Sequence, residues 1–400
     1  MKKVAVLGYG TVGSGVVEVM EQNARFIEQN VGETLEVKYI VDVRDFPDSP
    51  HADKMTKDFS IVENDPEVEI VVETIGGAGI AYEFTKRSLQ AGKSVITSNK
   101  ELVAKHGLEL LGLAKEKNLN YLFEASVGGG IPIIRPITQC LAANRIDEVY
   151  GILNGTTNYI LTEMIQNGRS FEDALKNAQA LGYAEQNPAA DIEGTDACRK
   201  ISILSDLCYG EEVDPNEVET EGITGVTLDD VKCAASLGYR IKLLGRSVRR
   251  EEGGISVYVA PHLLPETLLL SRVDGVMNGI VVRGNALGES MFYGAGAGKL
   301  PTASAVVADV MDAARHSKRR RDIGWEAASE GHMRDASELE SRWYIRAALT
   351  PEEAEARYGN VVFAKAVDEE GRIAFLTEKK SGKEIFACGE AESRYRVIEG

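Results

Sequence analysis

Positive charge is in deficit throughout this chain. Forty-five Lys and Arg (45) stand against 62 Asp and Glu, a formal net charge of −17 with a pI near 4.9. That balance argues against a nucleic-acid or anionic-membrane ligand, which needs clustered cations. A phosphate-bearing cofactor stays open, because backbone N–H groups bind anions locally. Cysteine is sparse: Cys140, Cys198, Cys208, Cys233 and Cys388 are 5 in number, scattered and without metal-ligand spacing. They read as reduced thiols, and the expected compartment is the cytoplasm. No apolar run is long enough to span a bilayer. The chain opens directly on a strand-like run, so no signal peptide is expected ahead of it.

What the chain does have is length and alternation. Its 400 residues are enough for two or three domains, with hydrophobic content of 44%. Residues 4–7 are an apolar run, followed by Gly8, Gly10 and Gly13 in the order G-Y-G-T-V-G, and a helix pattern begins at once. A glycine triplet between strand and helix, with Thr11 and Val12 inside it, is the context in which backbone approaches a pyrophosphate. Residues 37–41 form the next strand, running into Asp42-Val43-Arg44-Asp45. An acid there takes the 2′-hydroxyl of NAD; an arginine favours the 2′-phosphate of NADP. Arg44 tips the reading to NADP, with NAD use left open. Residues 70–72 are a third strand, followed by Glu73-Thr74-Ile75-Gly76-Gly77-Ala78-Gly79. Residues 94–97 are a fourth, ending at Ser98-Asn99-Lys100. In an open parallel sheet the strand ends face one crevice, so Thr74, Gly76, Thr97, Ser98 and Lys100 are candidate ligand contacts. The expectation is an α/β chain with a Rossmann-type, doubly wound nucleotide-binding domain over residues 1–130.

Glu124 precedes Gly128-Gly129-Gly130. The glycines read as a mobile hinge, or, with the Glu124 carboxylate, as carbonyl ligands for a hard cation. Residues 131–300 mix strands with helices and read as an α+β substrate and dimerisation domain. The stretch 182–200, GYAEQNPAADIEGTDACRK, stands out within it. Asp196 and Lys200 fall one helical turn apart, so the carboxylate can hold the ammonium for proton transfer. An ordinary surface ion pair is the alternative. Residues 294–304 form a second glycine-rich loop, containing Gly298, before a helix expected over 301–320 that completes the first domain. Residues 318–322 (KRRRD) are read as complementing that helix's dipole, and 323–338 as a linker. The remainder, 338–400, is read as a small βαββαβ domain, with one strand over 361–367.

Six ordered motifs carry a resemblance: GYGTVG at 8–13, VITSNKELVAKHG at 95–107, EASVGGGIPIIRP at 124–136, LNGTTNYIL at 153–161, GYAEQNPAADIEGTDACRKISIL at 182–204 and GAGAGKLPTASAVVADV at 294–310. Together they resemble the homoserine dehydrogenase family, in its monofunctional form, over roughly residues 1–320. The resemblance implies NAD(P)-dependent interconversion of L-homoserine and L-aspartate 4-semialdehyde, within threonine and methionine biosynthesis. It implies Lys200 as proton donor, with Lys100 as second candidate, and Asp196 on the substrate hydroxyl or on Lys200. Gly182, Glu185 and Asp191 would surround the substrate, Glu185 on its amino group. Glu124, Val127, Gly129 and Ile131 match a sodium site. The 294–304 loop would cover the cofactor. The last segment is similar to an ACT-type regulatory domain but lacks the glycine-containing turn after its first strand. A degenerate ACT-like domain is therefore expected, along with a homodimer or higher homo-oligomer.

Two other readings make different demands. An aspartate-semialdehyde dehydrogenase needs an activated cysteine nucleophile, and Cys140 and Cys198 lie in no such context. A dinucleotide-sensing regulator would bind cofactor without turnover, which the paired Asp196 and Lys200 argue against.

Overall fold

The structure is a computed structural model that describes residues 1–366 and 370–399. Its contacts divide it into two compact units: Met1–Ala143 with Ile203–Pro215 and Gly294–Ala328, and Asn144–Ser202 with Asn216–Tyr293 and Ser329–Gly400.

The first unit is built on six parallel strands: β1 (Lys2–Leu7), β2 (Leu35–Val41), β3 (Met55–Thr56), β4 (Val68–Glu73), β5 (Ser94–Thr97) and β6 (Tyr121–Leu122). Their order is β3-β2-β1-β4-β5-β6. The near-continuous apolar runs in β1 and β4 are those of strands covered on both faces. Val4, Val6, Ile40, Ile70, Val72 and Ile96 meet helix residues in one core. Strand order reverses between β1 and β4, which sets the switch point where α/β sheets bind ligands. The helix Lys299–Arg315 falls within this unit. It lies so close to the helix Thr11–Gln22 that a Cβ on Gly15 would come within 2.9 Å of the Lys299 carbonyl oxygen.

Three local expectations change here. Gly128 and Gly129 are buried, and a Cβ on Gly129 would stand 2.2 Å from the Gly296 carbonyl oxygen. Gly130 N–H donates to the Ala295 carbonyl (3.0 Å). These glycines permit close backbone packing against the 294–301 loop, so the segment is pinned and is no hinge. Arg321 does not simply face a helix terminus: its guanidinium pairs with the Asp312 carboxylate at 2.9 Å. Within the expected linker, Trp325 is buried and lies against Gly107, where a Cβ would approach its ring to 2.6 Å.

The second unit carries β7 (Ile146–Ile152), β8 (Glu219–Thr220), β9 (Tyr239–Arg249), β10 (Ile255–Pro265), β11 (Met277–Gly284) and β12 (Gly288–Ala295), the last reaching the unit boundary. After them come β13 (Glu340–Ser341), β14 (Trp343–Ala347), β15 (Val361–Phe363), β16 (Ile373–Thr377), β17 (Lys380–Ser381) and β18 (Ser393–Val397). The expected strand over 361–367 ends, in its described part, at Phe363; Val367 lies outside the described residues. The βαββαβ order is present, with β18-β14-β16-β15 antiparallel.

Residues 338–400 do not, however, separate as a third compact unit. β18 pairs with β10 in parallel, at His262↔Arg396 and Leu263↔Val397, so one sheet runs β12-β11-β7-β9-β10-β18-β14-β16-β15. A buried ion pair, Arg346 Nε to Asp230 Oδ1 at 2.7 Å, ties β14 to the helix Leu228–Ser236.

Candidate active site

The cofactor side is built at the carboxyl ends of β1, β2, β4 and β5. Gly8 has φ +90, and a Cβ on Gly13 would stand 1.8 Å from the Gly8 carbonyl oxygen. The turn therefore closes only with glycine at both places. Gly10 begins the helix Thr11–Gln22 with no side-chain cap, so the first-turn N–H donors, those of Thr11 and Val12 among them, are not covered by a capping side chain. That is an anion cradle with a partial positive charge. Thr74 Oγ1 donates to the carbonyls of Leu7 and Gly8, both at 2.9 Å, locking the turn to β4. A Cβ on Gly76 would meet nothing within 4 Å, so the loop after β4 leaves open space. These features fit a dinucleotide, whose pyrophosphate the first-turn N–H groups would hold.

At the end of β2, Asp42 is saturated. It accepts from Tyr9 N (2.7 Å), Arg44 N (2.9 Å), Arg44 Nε (3.0 Å) and Arg44 Nη2 (2.9 Å). Those bonds, led by the Arg44 guanidinium, hold the Asp42 carboxyl well below its usual range. The Asp42 side chain is 7% exposed and that of Arg44 is 59% exposed. What this corner presents to solvent is a guanidinium.

The last residue of β4 is one that the sequence reading passed over. Glu73 is fully buried at the strand's end. Its Oε1 accepts from Ile75 N (2.6 Å) and its Oε2 from Thr97 Oγ1 (2.5 Å). Burial pushes its carboxyl up to about 7, against the opposing pull of those donors. A glutamate closing an apolar strand was the available signal. Asn99 caps the helix Lys100–Lys117 through Leu102 N (3.1 Å) and donates to the carbonyls of Ile75 (3.0 Å) and Gly77 (2.7 Å). Lys100, half-buried, is the first residue of that helix, and Ser98 is half-buried beside it. Gly298, at φ +125, begins the helix Lys299–Arg315.

The second unit brings together four other side chains. Lys200 Nζ lies 2.8 Å from Asp196 Oδ2 and donates to the Leu153 carbonyl at 2.7 Å. Asn154 Nδ2 donates to Asp191 Oδ1 (2.7 Å) and Asp196 Oδ2 (2.9 Å). The Asp196 and Lys200 side chains are 7% and 10% exposed, so this is no ordinary surface pair. Burial raises the Asp191 carboxyl, and the nearby Asp196 charge adds to the rise, while the Asn154 hydrogen bond opposes it. Asn154 lies in the motif LNGTTNYIL, within which the sequence singles out no residue. It also caps the helix Gly155–Asn167 by accepting from Thr157 N at 2.9 Å. Thr156 Oγ1 donates to the Tyr183 carbonyl (2.6 Å), which positions the segment after Gly182. Glu185 stands exposed, and its backbone carbonyl accepts from Gln179 Nε2 at 3.1 Å. The structure does not draw its carboxylate into the hydrogen-bonded cluster.

At the expected cation site the carboxylate is hydrogen-bonded within the chain. Glu124 Oε1 accepts from Ile133 N (2.6 Å) and Ile134 N (2.8 Å), and Oε2 accepts from Arg135 N (2.8 Å), with Arg135 Nε at 3.7 Å. Three backbone N–H groups thus share the two carboxylate oxygens, out of about four acceptor positions. The Glu124 carboxylate is engaged by the backbone of residues 133–135, and Val127, Gly129 and Ile131 would contribute backbone carbonyls. Among the described residues, no group of three or more His, Cys, Asp or Glu is arranged to hold a metal. Nor is any described helix long and apolar enough to cross a membrane.

The chain matches the family model "Homoserine dehydrogenase, NAD binding domain" over residues 8–124 and "Homoserine dehydrogenase" over 132–311. It is 46% identical to a homoserine dehydrogenase of Pseudomonas aeruginosa over 314 residues, 78% of this chain and 72% of that one. With one of Helicobacter pylori it shares 40% over 357 residues, 88% of this chain and 83% of that one. A crystal structure of a homoserine dehydrogenase from Thiobacillus denitrificans superposes with TM-score 0.91 at 38% identity, covering 100% of this chain and 98% of the other. A hyperthermophilic archaeal homoserine dehydrogenase in complex with NADPH gives TM-score 0.67 at 31% identity, over 78% of this chain and 98% of that one. The chain therefore belongs to the homoserine dehydrogenase family, and is an oxidoreductase with a nicotinamide-dinucleotide-binding domain.

Proposed function

We propose that this chain interconverts L-homoserine and L-aspartate 4-semialdehyde with NADP as its preferred cofactor. The observation that carries the reading is the buried Lys200–Asp196 pair, braced by Leu153, Asn154 and Asp191. The nicotinamide, when bound, supplies the hydride chemistry. In the reducing direction negative charge grows on the aldehyde oxygen as its carbon accepts hydride. The Lys200 ammonium stabilises that charge and donates the proton that completes the hydroxyl. Asp196 and the Leu153 carbonyl hold the ammonium in place. Asp191 supplies a carboxylate for the substrate ammonium; Glu185, from its exposed loop, is the second such group. Lys100, at the head of its helix, is assigned to the cofactor and substrate side of the first unit.

Saturation of Asp42 by Arg44 supports NADP: no acceptor is left for a 2′-hydroxyl, and a guanidinium is offered to a 2′-phosphate. The same reading includes a homodimer, supported by the edge position of β12 with Tyr293 exposed. It also includes an ACT-like fold for residues 338–400, supported by their strand order, and a cytoplasmic setting. The test is homoserine-dependent reduction of NADP and NAD by the purified chain, with and without L-threonine. Turnover faster with NADP is the expected result. Cofactor binding without turnover would replace this reading with that of a sensor.

A further inference from the structure

The strand order divides a bound dinucleotide between two groups of residues. Its adenosine half falls toward β2, where Asp42 and Arg44 stand, and its nicotinamide half toward β4 and β5. At the end of β4, Glu73 is the junction of everything that shapes the second half. One carboxylate oxygen holds the Ile75 N–H, and so the start of the 74–79 loop. The other holds the Thr97 hydroxyl. Thr97 Oγ1 in turn accepts from Asn99 N at 2.9 Å, and the Asn99 amide returns to the carbonyls of Ile75 and Gly77. The circuit closes on itself, and Lys100 follows Asn99 directly.

We propose that Glu73 is a positioning residue for the nicotinamide half of the cofactor, acting through the 74–79 loop and the turn at Thr97–Asn99. The inference rests on the cofactor reading given above. Glu73 touches neither strand end as a ligand; it fixes the backbone that would.

The circuit also has a preferred charge state. The single Thr97 proton points to Glu73, and the Ile75 N–H needs an acceptor, so both partners ask for the ionised carboxylate. Protonation at Oε2 would leave the Thr97 hydroxyl without its acceptor. The groups around Glu73 leave that equilibrium to burial. Leu7 on β1 and Thr97 on β5, the register partners of Glu73, carry no charge. From β6 comes Tyr121, a fully buried phenol held well above its usual range by burial and, secondarily, by Glu73 itself. Lys100 is the first cation after the turn. Burial therefore pushes the carboxyl up to about 7.

The test compares Glu73→Gln with the wild-type full chain from about pH 6 to pH 8.5. In the wild type, KM for NADP should rise as pH falls through about 7. In Glu73→Gln, KM should be raised about tenfold at the alkaline end and should lose that inflection, with kcat within about threefold of wild type. Binding of 2′,5′-ADP, which occupies only the adenosine half, should be unchanged. Thr97→Val, which removes the donor and keeps the shape, should raise KM similarly, and the double variant should be no worse than either single one. A Glu73→Gln enzyme that keeps the wild-type inflection overturns the inference, as does a Thr97→Val enzyme with wild-type KM if Glu73→Gln fails to fold. A wild-type chain that binds neither NADPH nor NADH overturns the cofactor reading itself, a separate result.

Discussion

Arg44 and Asp42 satisfy one another at the end of β2: the guanidinium forks onto both carboxylate oxygens, and two backbone N–H groups take the remaining acceptor positions. Removing the fork should expose the acid. Arg44→Ser is expected to lower kcat/KM for NADP by about ten- to a hundredfold, ~1.4–2.7 kcal/mol. NAD should improve, because Asp42 then has free oxygens for a 2′-hydroxyl. Steady-state kinetics with both cofactors measures the ratio, and an unchanged ratio would show that the 2′-phosphate is read elsewhere.

Lys200→Ala should lose about 10²–10⁴-fold in kcat, the usual span for a positioned proton donor, while dissociation constants for NADPH stay near wild type. Asp196→Asn should fall between, since Lys200 keeps the Leu153 carbonyl as a partner. Near-normal turnover in Lys200→Ala would remove that residue from the mechanism.

Asp191 gives a pH signature. Its carboxyl is raised by burial, so homoserine affinity should begin to fall at a higher pH than an ordinary aspartate would dictate. The stability consequence has the opposite sense. With its folded value above the unfolded one, the contribution is fully present below the ordinary aspartate range and is lost as pH rises through the raised value. Asp191→Asn should thus leave neutral-pH melting unchanged or slightly higher while KM for homoserine rises. A clear loss of stability at neutral pH would contradict the sign.

Arg346 and Asp230 are 4% and 0% exposed, so breaking their pair strands a charge. Arg346→Met is expected to cost about 3–5 kcal/mol, read as a lowered melting temperature. The paired change Arg346→Met with Asp230→Leu should recover most of it. Equal destabilisation by the single and double variants would show that packing and not charge is at stake.

The parallel sheet was legible because its strands are apolar runs broken by glycine turns, and the Asp196–Lys200 pair because helical spacing is local. Asn154 was harder to see. It acts as cap and as bridge to Asp191 and Asp196, and only the first role has a nearby sequence signal. The partners of Glu124 were hidden for a related reason: nothing local to a carboxylate before glycines shows that the backbone at 133–135 folds back onto it. The link of residues 338–400 to the rest of the second unit is different in kind. Pairing of β18 with β10 joins segments far apart in the chain, and no local pattern specifies a strand's distant neighbour.

That pairing also decides how the second unit comes apart. Leu263 accepts a hydrogen bond from Ile398 N at 2.9 Å, so the C-terminal strand is threaded into the lattice of the substrate sheet. In hydrogen exchange the amides of β18 and β10 should therefore open together, as one cooperative foldon. Clipping the tail from this chain would unseal a central strand's edge, and the shortened protein would meet its first difficulty in solubility, before any question of regulation arose.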